Sequence, residues 1–187
     1  FFLGATVASL ISETKQLDNI KGCNPEGNGV VIYFDTEQSE FHATRTIKRI
    51  CKMAGIQNPG NLVAYGLRPL TPAERVQVIE EKIINTDNLV AVVIDGIRDL
   101  LTYGINDEQE ATVMTSKLLK WSSDKNIHII ILLHQNKTDM NARGHIGTEI
   151  LNKAETTLTV TKDTRTDSFV VSCDYSRDIG FEDFSFR

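Results

Sequence analysis

Little in this chain points outward from the cell interior. It has only three cysteines, Cys23, Cys51 and Cys173, odd in number, far apart and in no metal-ligand spacing. A disulfide framework and a zinc site are thereby excluded, and free thiols in a reducing cytoplasm are the expectation. No apolar run is long enough to span a bilayer. The first residues, FFLGATVASLISE, hold no Met and no basic segment, so they do not read as a signal peptide. Positive charge is also short: 20 Lys and Arg stand against 25 Asp and Glu, a net charge of -5. No global basic field draws in nucleic acid, so any such contact must be local, as on one wall of a channel. Repeats, low-complexity segments and linkers are absent.

What is present is an ordinary globular composition, 41% hydrophobic and 24% charged over 187 residues, enough for one domain with a substantial core. Apolar residues Phe2, Leu3, Val7, Leu10 and Ile11 fit a helical stripe and predict a helix over 1–17. No capping residue precedes it, which implies a chain cut at its N-terminus from something longer. GVVIYFD, NLVAYGL, NLVAVVIDG and IHIIILLHQN are apolar, β-branched runs that predict strands, the first, third and fourth buried on both faces. Helices are expected over 39–54, closed by Gly55, from Thr71 and Pro72 through TPAERVQVIEEKIINT, and over 107–126. A turn or short helix is expected at 97–103, and a polar loop over 137–147. TTLTVTKD, SFVVSCDY and FEDFSFR read as short strands joined by turns. Alternating strands and helices predict a doubly wound, mostly parallel sheet, with the last strands as antiparallel hairpins on one edge.

In such sheets ligands bind beyond the carboxyl ends of the strands. The notable polar residues lie at those ends: Asp35 and Glu37, Asp95, and His134 with Gln135. Asp95 closes VAVVID, an acid held rigid at the tip of a buried strand. That arrangement suits a carboxylate holding Mg²⁺ beside nucleotide phosphates, and equally a cap on the following turn. Glu37 suits activation of a water for attack on a γ-phosphate, or an early-helix acid facing the helix dipole. Asp35 is the alternative base, or a helix cap. Gln135 and Asn136 suit contact with a γ-phosphate, or solvation of a turn. Lys137, Arg143 and His145 occupy the polar loop. Arg177, in a turn of DYSRDIGFEDFSF, is a surface cation beside Asp174 and Asp178, or reaches a neighbouring subunit's phosphates.

One motif is missing. No GxxxxGK[ST] occurs in the 187 residues. It would supply the amide cradle, the phosphate lysine and the hydroxyl on Mg²⁺, and it is expected just upstream of Phe1.

Taken in order, these segments resemble a RecA-like P-loop ATPase, of the replicative-helicase and plasmid RepA-type branch found also on mobile elements. The resemblance covers essentially the whole chain as one truncated domain. FFLGATVASLI resembles the helix after GK[ST]. VVIYFDTEQS is similar to the strand bearing the catalytic glutamate, which falls on Glu37. VAVVIDGIRDL resembles the Walker B strand, with Asp95 as the metal-supporting acid. IIILLHQNK resembles the sensor strand, with His134 and Gln135 in the sensing position. NARGHIGTEILNKAETTLTVTKD resembles the segment whose loop touches DNA, and Lys137, Arg143 and His145 are its contacts by that likeness. Arg177 matches the arginine of the late hairpin that acts on the neighbour's nucleotide, while the other basic position of that hairpin falls on Tyr175. The resemblance implies ATP and Mg²⁺ as cofactors, assembly into a ring (a hexamer) and single-stranded DNA as partner, in replication, recombination or element transfer. Two other readings stay open: a regulatory RecA-like ATPase with a protein partner, and a non-catalytic assembly domain.

Overall fold

The computed structural model describes residues 1–24, 27–134 and 144–187. Four parallel strands form the central sheet: β1 (Val30–Asp35), β2 (Leu62–Gly66), β3 (Leu89–Asp95) and β4 (His128–Leu132). Their order is β2-β1-β3-β4. Side chains alternate faces along each strand, and the two faces bury different helices. Ile32, Phe34, Val92 and Ile94 pack with Ile79 and Ile83 of α3 (Pro72–Asn85) and with Met114, Leu118 and Trp121 of α4 (Glu108–Lys125). Val31, Tyr33, Ala91 and Val93 pack on the other face, with Val7, Ala8 and Ile11 of α1 (Phe2–Ser12) and with Ile50 and Ala54 of α2 (Glu40–Ala54).

The helix ends follow local chemistry. Thr71 and Glu74 form a full capping box at the start of α3, with Pro72 in the first turn. Gly55 closes α2 in the left-handed conformation. The first helix is shorter than the apolar stripe predicts: Glu13 adopts the left-handed conformation and ends it at Ser12. On α2, Phe41 and Thr44 share the helical spacing of the buried Ile50 and Ala54, yet both are exposed. Phe41 instead lies beneath the Arg45 guanidinium, whose Cζ is 5.7 Å from the ring centroid. Residues 144–147, expected to end a polar loop, instead open a fifth helix, α5 (Gly144–Lys153), whose Ile146 is fully buried against α4's core.

The C-terminal strands β5 (Thr156–Asp163), β6 (Ser168–Ser176) and β7 (Phe184–Phe186) are antiparallel, as expected. They hydrogen-bond to one another as a separate three-stranded sheet, not as hairpins on an edge of the parallel sheet as the sequence predicts. Phe186 stacks on both Phe1 and Phe2, which ties this sheet to the start of α1.

The strand order also places the site. From β1 the chain leaves through α2 toward β2; from β3 it leaves through α4 toward β4. The two connections diverge on opposite faces, so the sheet's topological switch point lies between the carboxyl ends of β1 and β3. Open α/β sheets bind ligands in that crevice.

Candidate functional site

Asp35 and Asp95 end the two strands at the switch point and lie side by side in register. Both belong to the face that carries Tyr33, because Tyr33, Asp35 and Asp95 share the two-residue period of Val31 and Val93.

Asp35 is 2% exposed. Its Oδ1 accepts hydrogen bonds from the backbone N–H of Glu37 (3.2 Å) and Gln38 (2.8 Å). It therefore caps the turn that follows β1, a step before α2, whose N-cap is Ser39. Its Oδ2 is buried without a hydrogen-bond partner. This turn is what holds Glu37 beyond the strand tip, where its side chain is exposed and Oε2 lies 3.8 Å from His134 Nε2. Glu37 and His134, read from separate segments, are thus brought together.

Asp95 receives a hydrogen bond from the Tyr33 hydroxyl on Oδ2. Burial raises the Asp95 pKa above the ordinary carboxylate value, and the charges of Asp35 and Glu37 push the same way, while the Tyr33 hydrogen bond and His134 oppose them. Burial and Asp95 likewise push the Tyr33 phenol up. Thr36, 1% exposed, places its hydroxyl 2.9 Å from the carbonyls of Asp95 and Gly96 and 3.2 Å from Asp99 Oδ2. Gly96 allows this approach: at φ 106°, a Cβ there would stand 2.4 Å from Thr36 Oγ1. Arg75 of α3 fastens the neighbouring loops, donating to the carbonyls of Leu67 (3.1 Å), Arg68 (3.0 Å) and Asp99 (2.7 Å).

Sequence reading missed Tyr33, Thr36 and Arg75. A tyrosine inside an apolar strand was the one available signal, since a buried phenol needs a partner.

Two cavities flank the switch point. The larger, about 1210 Å³, lies between α2 and the edge strand β2, with Asp35 on its lining. The smaller, about 910 Å³, holds Tyr33, Gln38, Arg49 and Asp95 beside the first turn of α1 and runs along β4. Here a helix start and a strand-end acid face one space.

The other expected residues are dispersed. His145 lies in the first turn of α5 and is exposed. Gln135, Lys137 and Arg143 fall outside the described residues. Arg177 is exposed just past β6, and its backbone N–H donates to Glu155 O at 2.9 Å. Among the described residues, no hydrogen bond or ion pair joins it to Glu37, Asp95 or His134. Among the described residues there is also no cluster of three or more His, Cys, Asp or Glu that could enclose a metal. A hard cation such as Mg²⁺ takes one or two carboxylates and completes its shell with phosphate and water. Asp95 fits this use. No helix among the described residues is long and apolar enough to cross a membrane.

The sequence matches an AAA domain family over residues 3–140, well over half of the chain. The chain belongs to that family. The matched span takes in β1 to β4 and every residue placed at the switch point. Its fold is similar to that in the crystal structure of the RadB recombinase, with a TM-score of 0.57 over 86% of this chain and 76% of that one. Identity is 18%, so the likeness establishes a RecA-like fold for this AAA domain and nothing finer. No curated protein matches it.

Proposed function

We propose that this AAA domain is the catalytic part of an oligomeric ATPase that acts on DNA, in replication, recombination or mobile-element transfer. The observation that carries the reading is the convergence at the switch point: Asp95 half-buried, Glu37 exposed beyond it, and His134 in contact with Glu37. Asp95 would support Mg²⁺, which when bound to ATP neutralises charge developing on the β- and γ-phosphates. Glu37 would orient and deprotonate the attacking water, its position fixed by the Asp35-capped turn. His134 and Gln135 would register loss of the γ-phosphate and pass it to Lys137, Arg143 and His145, the contacts for single-stranded DNA. Arg177 would act on a neighbour's nucleotide in a ring, a hexamer in the branch that the sequence resembles. Its exposure and its lack of an ion pair within the described chain suit that use. Similarity to a recombinase agrees with a DNA substrate.

The reading needs a phosphate cradle, and the 187 residues contain no GxxxxGK[ST]. The alternative is a non-catalytic assembly domain. ATP turnover by the full-length protein, measured with and without single-stranded DNA at several salt concentrations, separates the two. Turnover stimulated by DNA and weakened by salt is expected. Turnover that ignores DNA would point to a regulatory ATPase with a protein partner. Neither nucleotide binding nor turnover would leave the assembly domain.

A further inference from the structure

Tyr33 sits in the middle of the apolar cluster between the sheet and α1 and α2, 2% exposed. For filling that space a phenylalanine would serve as well. The hydroxyl is what needs an account. It donates to Asp95 Oδ2 across the β1–β3 pair. The strand register makes this possible: Tyr33 is level with Val93, one two-residue step short of Asp95 on the same face. Among the described residues, Tyr33 is the one side chain that hydrogen-bonds the Asp95 carboxylate. The other groups acting on Asp95 are charges, with Asp35 and Glu37 repelling it.

A carboxylate at the end of a strand can turn about two bonds. A donor fixed on one oxygen removes that freedom and leaves the other oxygen for a ligand. We infer that Tyr33 is a positioning residue, which holds one oxygen of Asp95 so that the other meets the divalent cation of a bound nucleotide. The inference rests on the reading of Asp95 under the proposed function. It assigns the phenol a task apart from packing.

The test uses the full-length protein, a non-hydrolysable ATP analogue and Mg²⁺ as the titrant. The wild type comes first. If its analogue binding does not depend on Mg²⁺, the metal role of Asp95 fails and Tyr33's role fails with it, before any variant is made. If it does depend on Mg²⁺, Tyr33→Phe should raise the Mg²⁺ concentration for half-saturation about 10–100-fold, with metal-free analogue binding unchanged. An unchanged half-saturation would overturn the inference. In the Asp95→Asn background the same substitution should have no effect on Mg²⁺ dependence, because it acts through that carboxylate. An equal effect in both backgrounds would mark a merely structural role. Should Tyr33→Phe fail to fold, 3-fluorotyrosine incorporated at position 33 alone can report on the hydroxyl directly. Its ¹⁹F resonance should move when Mg²⁺ joins the bound analogue. A resonance that stays still would equally overturn the inference.

Discussion

Glu37 and Asp95 are both acids at strand tips, yet their surroundings separate their tasks. Glu37 stands in solvent, its backbone N–H held by Asp35 and its carboxylate beside His134. Glu37→Gln in the full-length protein should lower ATP turnover at least about 100-fold while leaving ATP binding nearly intact, as expected for loss of a general base. Steady-state turnover and equilibrium nucleotide binding measure the two arms, and normal turnover would remove the base assignment. Asp95 is different, because the fold disfavours its charge. Its folded pKa lies above the unfolded one. Its contribution to stability is therefore full below the unfolded value and lost as pH rises through the folded one. Asn mimics the neutral acid and can still accept the Tyr33 hydroxyl. Asp95→Asn should thus melt higher than wild type at pH 7, and the gap should close as pH falls toward 4. Melting curves across that range decide it; a lower melting temperature at pH 7 would contradict the burial argument. Stability given up at one carboxylate is the kind of local cost expected where a site must hold a cation.

The elements that form the site are joined by a few specific contacts. The β1 and β3 tips are stitched through Thr36, whose backbone N–H also donates to Asp95 O at 3.2 Å. Gly96 makes the stitch possible by offering no Cβ. Gly96→Ala should push Thr36 aside and strain a backbone at positive φ, lowering stability by about 1–3 kcal/mol. For a domain of this size that corresponds to a fall of about 2–4 °C in melting temperature per kcal/mol. Because the displaced Thr36 lies between Asp35 and Glu37, nucleotide binding should weaken along with stability. Thr71→Ala is the matching control away from the site. It removes the capping box of α3 and should cost about 1 kcal/mol with no change in nucleotide binding. Both are measured by thermal melts and nucleotide titration on the same samples.

At the scale of the whole molecule, the parallel sheet and the antiparallel C-terminal sheet meet at the start of α1, through the Phe186 stack on Phe1 and Phe2. Past β6, Arg177 and the 90% exposed Ile179 project from the second sheet. Under the proposed function this loop would meet a neighbouring copy of the chain. Arg177→Ala should reduce turnover about 1,000-fold or more if it stabilises phosphoryl transfer. Mixed with Glu37→Gln protein, it should regain activity, because some interfaces then pair an intact Glu37 with a neighbour's Arg177. Mixtures no more active than their parts would exclude action between subunits.

The sequence by itself determined the elements. Period-two and period-3.6 apolar patterns, Pro72 after Thr71, and Gly55 past Ala54 are local signals, so strands and most helix ends were legible from them. It also brought out Glu37, Asp95 and His134, because acids and imidazoles at the ends of apolar runs stand out against their neighbours. It misjudged α1's end and the start of α5. The first was decided by one left-handed residue, Glu13, and the second by the burial of Ile146 against a helix distant in sequence. Only tertiary structure decided the strand order. Order and register set which residues face each other, and neither is written in a single strand. They alone put the switch point between β1 and β3, gave Asp35 the turn rather than the helix, and set the phenol of Tyr33 against Asp95.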